Sequence, residues 1–480
     1  MKMMSAFATC GTALLLLAAC GAAPTEETEP LGSQAQGLQK NDSRKIYVHM
    51  MPWFETPGFH WDMVGRHYNP QIGPYHSGDY NVIEYQLLLM KYAGIDGVII
   101  DWPGRSTMHN DLPANAENTD QIVDQTAKFG MQFAVCFEDQ YAVDTGDAIN
   151  SMHWVRDHYF NRPNHIKLNN APALYVFGPQ KIAAADWPAV LAATGADPMF
   201  FTLWYNDKAG GARDGTFGWI YSDGVQGVRN YYDRADQGTK VPVVYPGFKA
   251  AYPNGAPGWS VPYDVEGDTF STLWNAAKGV GETVQIATWN DYTEGTMIEP
   301  TNEFGYKYLV SLQKLLGVTY GQAELEIVRK LYDRRKAGDP KADAASQALI
   351  NWDVAAACAQ LGCTAPVHSG TGGTGSGSAG SNSGSAGSKG NSAGSGNTSS
   401  AGSAPTGSGG APQASGGNGS TSAGASTGNA TGNDDEESDD GGGGCSLGSG
   451  RSSSAGSLLV LAALLLSARR RGGSRAPAAR

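Results

Sequence analysis

From Lys45 to Leu316 short apolar runs alternate with longer stretches that mix apolar and polar positions at helical spacing. The apolar runs, rich in branched and aromatic side chains, predict strands at 45–50, 95–101, 131–137, 173–177, 199–204, 217–221, 241–245 and 283–289. Helical spacing predicts helices at 79–93, 116–129, 147–157, 184–194, 266–278 and 303–316. After the sixth run the chain is rich in Gly, Asp and Asn, which predicts long loops and no helix there. Strands in alternation with helices predict an α/β fold, a (β/α)8 TIM barrel. A doubly wound open sheet is the alternative, but no Gly-rich dinucleotide fingerprint follows the first run. The stretch 321–360 reads as a C-terminal helical extension against the barrel flank.

Composition confines the folded part. Of 46 aromatic residues all but Phe7 lie between Tyr47 and Trp352. A segment without rings buries too little apolar surface to offset chain entropy, so the ends are read as processed or disordered. Glycine is in excess, with 64 residues, and much of it falls in a Gly/Ser/Ala/Thr/Asn stretch from Ser369 to Asn433 that reads as a flexible spacer. The divisions expected are a signal peptide at 1–19, a linker at 20–44, a catalytic barrel at 45–318, a helical extension at 319–364, a disordered Gly/Ser-rich and acidic linker at 365–444, and a sorting tail at 445–480. Setting aside the 8 basic and 9 acidic residues of the two ends, the body keeps 26 basic and 37 acidic residues, a net −11. Such a surface repels polyanions, so no nucleic-acid partner is expected and a neutral substrate is.

Both ends read as export signals. An apolar run follows Lys2 and closes in Leu17-Ala18-Ala19-Cys20, which resembles the bacterial lipobox and implies lipidation at Cys20; an ordinary signal peptide is the plainer reading. At the other end Gly441–Gly444, Cys445, an apolar stretch and Arg469-Arg470-Arg471 resemble the sorting tails of myxobacterial surface proteins, which implies processing at Cys445. The apolar stretch is well short of the about 20 residues that span a bilayer, and a degenerate single-span anchor is the alternative. The protein is therefore expected outside the cytoplasm, at the outer membrane or cell surface, lipid-anchored, with the membrane and the export and sorting machinery as partners. Cys358 and Cys363 are placed for a local disulfide in an oxidising compartment, and Cys136 reads as core. No metal-spaced Cys/His group exists, and the spacing of His60, His67 and His76 has no zinc logic, so neither metal nor cofactor is expected.

In a (β/α)8 barrel chemistry gathers where strands end. Those positions hold Trp53, Asp101, Trp102, Glu138, Trp204, Tyr245, Asn290, Asp291, Tyr292 and Glu294. Carboxylates and rings dominate, with no nucleophile elbow and no phosphate loop. Glycoside chemistry needs that set: one carboxyl to protonate the leaving oxygen, a second to act as base or nucleophile, and flat faces for sugar C–H surfaces. The structural alternatives are helix-capping acids for Asp291 and Glu294, a rim ion pair for Glu138, and ordinary rim packing for the rings.

The run Ala287-Thr288-Trp289-Asn290-Asp291-Tyr292-Thr293-Glu294-Gly295 is similar to the strand-8 motif of glycoside hydrolase family 99, the endo-α-mannosidases and endo-α-mannanases. Its Asn-Asp-Tyr core also resembles the α-1,3-glucanases of family 71. Ile72-Gly73-Pro74-Tyr75-His76-Ser77-Gly78-Asp79, Ala93-Gly94-Ile95-Asp96-Gly97-Val98 and Tyr245-Pro246-Gly247-Phe248 agree with family 99 as well. The resemblance implies a general acid/base at Glu294. It implies at Asp291 the carboxylate that deprotonates the sugar 2-hydroxyl, where the family has the longer Glu. Trp53, Tyr75, Asp101, Trp102, Glu138, Trp204, Tyr245, Asn290 and Tyr292 are expected to bind substrate. Lys249 stands where the family often has Asp, and Glu299 is expected to hold the loop. The function expected is hydrolysis of an α-linked polysaccharide or oligosaccharide, of α-mannan or α-1,3-glucan type, endo-acting. A glycan-binding protein on a hydrolase-like barrel is the alternative.

Overall fold

The computed structural model describes residues 38–367. The signal segment with Cys20, the Gly/Ser spacer and the tail with Cys445 lie outside the described residues. Nine parallel strand segments form one sheet: β1 (Lys45–Met50), β2 (Gly97–Trp102), β3 (Gln132–Phe137), β4 (Ala171–Val176), β5 (Met199–Leu203), β6 (Gly215–Phe217), β7 (Thr239–Val241), β8 (Val243–Val244) and β9 (Thr283–Ile286). The sheet order runs from β7 through β6, β5, β4, β3, β2, β1 and β9 to β8.

The two edge segments are halves of one strand. Val241 pairs with Phe217 of β6, and Val243 pairs with Gln285 of β9. Pro242 lies between them and has no N–H to give a ladder, yet its carbonyl accepts from the Gln285 N–H at 2.9 Å. The halves thus close an eight-membered (β/α)8 barrel, as the alternation of the sequence predicts.

Among the described residues nine of the ten helices longer than one turn follow the predicted pattern: α1 (Tyr80–Ala93), α2 (Leu112–Thr126), α3 (Thr145–Trp154), α4 (Trp187–Ala192), then α6 (Thr269–Ala276), α7 (Lys307–Leu316), α8 (Gln322–Lys336), α9 (Ala342–Ile350) and α10 (Val354–Leu361), with α5 (Gly224–Asp233) completing the set. Asp79 starts α1 by accepting from the Asn81 N–H, and Gly94 ends it in the left-handed region at φ 89°. The helix α5 occupies the region expected to be loop. Val225, Val228, Tyr231 and Tyr232 bury one face of it, while Gly224, Gly227, Asn230 and Asp233 mask that spacing in the sequence. The sixth strand is also earlier than expected, ending at Phe217.

Helix α8 packs along α1, α9 touches it through Ser346 and Leu349, and α10 packs on α8 and α9, so that nearly all of α1 is buried. Arg335 of α8 grips Glu84 of α1 with Nε–Oε2 at 2.5 Å and Nη2–Oε1 at 2.9 Å, and Ser346 adds a hydroxyl at 2.5 Å. Cys358 and Cys363 form a disulfide, and Cys136 is a buried free thiol. Among the described residues no helix is long and apolar enough to cross a membrane.

Candidate active site

Side chains alternate along a strand, so every second residue of a barrel strand points to its axis. On that inward phase lie His49 of β1, Asp101 of β2, Cys136 of β3 and, one step past its end, Glu138, whose N–H still donates to the Trp102 carbonyl at 2.9 Å. Asp101 and Glu138 therefore meet at the C-terminal mouth of the barrel.

After β9 the chain turns across the same mouth. Asn290 anchors the turn to β1: its Oδ1 accepts from the Met51 N–H at 2.8 Å, and its Nδ2 donates to the Met51 carbonyl and to the Tyr75 hydroxyl, each at 3.0 Å. Asp291 Oδ1 accepts from the Glu294 N–H at 2.9 Å, and the Asp291 N–H donates to Thr288 Oγ1 at 2.9 Å. Gly295 closes the turn at φ 68°, where a Cβ would stand 2.7 Å from the Tyr263 hydroxyl, so a larger residue does not fit. The segment after β8 is tied alongside, with the Lys249 and Ala251 N–H groups donating to the Glu294 and Thr293 carbonyls. This brings in Tyr252, whose hydroxyl donates to Glu294 Oε1 at 3.1 Å.

Glu299 locks the turn from behind. Tyr75 and Tyr292 donate hydroxyls to its Oε2 at 2.9 and 2.8 Å, and Gln86 donates to its Oε1 at 2.8 Å. Burial still outweighs those bonds and pushes its carboxyl up to about 7. Glu299 thus holds the loop, the role expected of it.

The mouth opens into two adjoining lobes of about 610 and 600 Å3 that share Trp53, Asp101, Glu138, Tyr252 and Asp291. One lobe is walled by Phe59, His60, Leu112 and Tyr141, the other by Phe177, Tyr205, Trp219, Phe248 and Trp259, with Glu294 at its edge. Desolvation dominates the electrostatics. It pushes the Glu138 carboxyl up to about 8, helped by the Asp101 charge and opposed by the Gln140 amide. It also raises Asp291 and Glu294, and the Asp291 charge raises Glu294 further. A buried carboxyl that keeps its proton beside one that gives it up is the pairing acid/base catalysis requires.

Not every expected substrate contact reaches this cleft. Trp53, Asp101, Glu138, Asp291 and Glu294 line it. Trp102 is one residue out of phase with Asp101 and is packed, with no exposed surface, against Phe137 and Tyr159. Trp204 sits against Tyr205, Tyr221 and Tyr231, and it is Tyr205 that faces the lobe. Tyr245 is enclosed in the core. Tyr75, Asn290 and Tyr292 support the turn rather than line the cleft. Sequence reasoning missed Tyr141, Trp219, Tyr252 and Trp259 as lining residues; Trp219 shares the inward phase of Phe217, a signal that alternation carries, whereas the other three sit in segments that tertiary contacts alone direct inward. His49, Asp101 and Cys136 are the only trio of potential metal ligands close together among the described residues. Both imidazole nitrogens of His49 already face protein partners at hydrogen-bond distance.

A closed (β/α)8 barrel whose mouth sets Asp291 and Glu294 side by side between aromatic walls can carry acid/base chemistry on a glycosidic bond. The likeness is also specific: residues 50–210 match the model of glycosyl hydrolase family 99. A glycoprotein endo-alpha-1,2-mannosidase-like protein of Mus musculus is 24% identical over 272 residues, covering 50% of this chain and 59% of that protein. The glycoprotein endo-alpha-1,2-mannosidase of Xenopus laevis is 22% identical over 271 residues, covering 50% and 59%. The chain thus spans 59% of the length of these relatives. The solved GH99 endo-alpha-mannosidase of Bacteroides thetaiotaomicron is 16% identical with a TM-score of 0.46, covering 59% of this chain and 98% of that one. The matched segment 50–210 contains Asp101 and Glu138 and ends before Asp291 and Glu294.

Proposed function

We propose that this chain is a glycoside hydrolase acting on α-linked glycans of α-mannan or α-1,3-glucan type, endo-acting and tethered at the cell surface. The observation that carries the reading is the Asp291–Glu294 turn: a buried and a half-buried carboxyl, joined by the hydrogen bond from the Glu294 N–H to Asp291 Oδ1, in a cleft walled by rings. Glu294, raised by burial and by its neighbour and held by the Tyr252 hydroxyl, supplies the proton to the leaving oxygen. Asp291 accepts the proton of the sugar 2-hydroxyl, whose oxygen then displaces the leaving group; this assignment rests on the family resemblance. Trp53 and the aromatic walls offer flat faces to sugar rings on either side. The family match and the mannosidase relatives support the α-linked class. Export, and anchoring through Cys20 or Cys445, rest on the terminal motifs.

The test is a panel of α-linked polysaccharides assayed for new reducing ends. Asp291→Asn and Glu294→Gln are each expected to lower kcat by about 10²- to 10⁴-fold while the melting curve stays cooperative. Full rate in both variants would remove the assignment, and oligosaccharide binding without turnover on any substrate would favour the glycan-binding alternative.

A further inference from the structure

Five carboxyl residues line the two lobes, Asp101, Asp111, Glu138, Asp291 and Glu294, and no Lys or Arg lines either. His60 also lines one lobe, but burial pushes its imidazole down to about 3, so it brings no charge. No cationic side chain stands among these acids at the walls. The residue beneath the cleft is His49, fully buried on the barrel axis.

Its hydrogen-bond geometry counts the protons. Gln285 Nε2 stands 2.5 Å from the Gly218 carbonyl oxygen, which only accepts, so the amide nitrogen is turned that way. Gln285 Oε1 then faces His49 Nε2 at 3.1 Å, and because Oε1 only accepts, Nε2 carries a hydrogen. At the other end Nδ1 stands 3.0 Å from Asp101 Oδ1, so a further proton lies between ring and carboxyl. Imidazole is the stronger base of the two. Asp101 also faces the Cys136 thiol, a second donor. The charged and titratable groups facing Asp101 are His49, Cys136, Glu138, Asp291 and Glu294; those around His49 are Asp101, Cys136 and Tyr175, with the Phe217 and Trp219 rings and the Gln285 amide as its uncharged neighbours.

We propose that His49 is held as an imidazolium and is a positioning residue of this cleft, supplying the positive charge beneath its acids and keeping Asp101 an ionised acceptor for a substrate hydroxyl. The role in turnover rests on the glycosidase reading; the protonation state does not.

Two measurements test it. In the full chain labelled with 15N-histidine, the His49 signal is the one lost in His49→Gln, or moved by Asp101→Asn should the first variant fail to fold. Both of its ring nitrogens are expected to carry hydrogen at pH 7.5; an unprotonated Nδ1 overturns the proposal whether or not any glycan is cleaved. On a glycan that is cleaved, loss of the imidazolium in His49→Gln is expected to move both limbs of the pH profile of kcat/KM upward by about one pH unit. The double variant His49→Gln/Asp101→Asn removes cation and anion together and is expected to bring the limbs back toward their original positions, at a lower rate. Limbs that stay in place in His49→Gln overturn the role in turnover.

Discussion

Replacing Glu138 with glutamine removes one titration from the barrel mouth and keeps its shape. In the folded chain burial holds this carboxyl protonated until about pH 8, whereas in the unfolded chain it ionises near its ordinary 4.5. Below the lower value both states hold the proton and the group costs nothing. Between the two values only the unfolded state releases it, so stability falls as pH rises, and above the higher value the loss is complete. Each pH unit in that window costs about 1.4 kcal/mol, which makes the whole span roughly 5 kcal/mol if the cavity does not relax. Water entry and side-chain rearrangement reduce this, and about half is a realistic lower figure. With an unfolding entropy of about 2.1 cal/mol/K per residue, the folded body loses roughly 0.7 kcal/mol per degree. The Tm of Glu138→Gln is therefore expected to match that of the parent near pH 4.5 and to exceed it by roughly 3–7 °C at pH 9. Gln140 keeps an acceptor oxygen in the variant, so no new unpaired group confuses the comparison. Melting curves at half-unit steps from pH 4.5 to 9 decide it. Two Tm profiles that run parallel across that range would refute the reasoning.

Two further substitutions probe the supports of the site. Glu299→Leu removes the acceptor shared by Tyr75, Tyr292 and Gln86, and orphaning buried donors costs about 1–3 kcal/mol each; a Tm drop of at least 4 °C is expected in calorimetry, and a change under 1 °C would show that the network relaxes freely. Arg335→Met leaves the Glu84 carboxylate buried with only Ser346 and Tyr80 beside it, at a cost of about 3–5 kcal/mol. Urea unfolding should show that loss, and adding Glu84→Gln should recover most of it; an unchanged midpoint in Arg335→Met would mean that the last three helices do not brace α1.

The carboxylates were legible because their positions follow from strand ends, and strand ends are marked by where apolar runs stop. Asp101 and Glu138 close such runs, and Asp291 and Glu294 carry a recognisable motif. The aromatic contacts were less legible because a ring at a strand end has two directions to go. Period-two alternation settles one of them: once Asp101 points inward, Trp102 points outward, under the helices. Trp204 obeys the same rule: its N–H still donates to the Phe217 carbonyl at 3.0 Å, and Tyr205 takes the phase of Phe201, which stacks on Tyr175, so Trp204 faces the other way; Tyr245 follows the end of β8. Tyr252 and Trp259 lie in the long connection after β8, where the ties of Lys249 and Ala251 to the Thr293–Glu294 turn set direction, and no local pattern encodes those ties. The helix α5 was hidden by composition: its glycines lower helix propensity, while the buried Val225, Val228, Tyr231 and Tyr232 face supplies the stability.

The interior of the barrel argues in the same direction as its mouth. Barrels of this kind commonly fill their axis with layers of branched apolar side chains. Here the layer under the mouth holds His49 and Gln285 among Tyr175 and Phe217, with both polar side chains fully buried. Burying such groups costs several kcal/mol unless each is bonded, and even a well-bonded buried charge pair contributes less stability than apolar packing of the same volume. A layer chosen for stability alone would hold valine and isoleucine. The polar column from Asp101 through His49 and Gln285 to the Gly218 carbonyl begins at one of the acids of the mouth, which ties its cost to their charge. The electrostatics of the cleft are therefore set one layer below the residues that line it. Substitutions in the two layers should combine non-additively, because each layer changes the charge that the other has to balance.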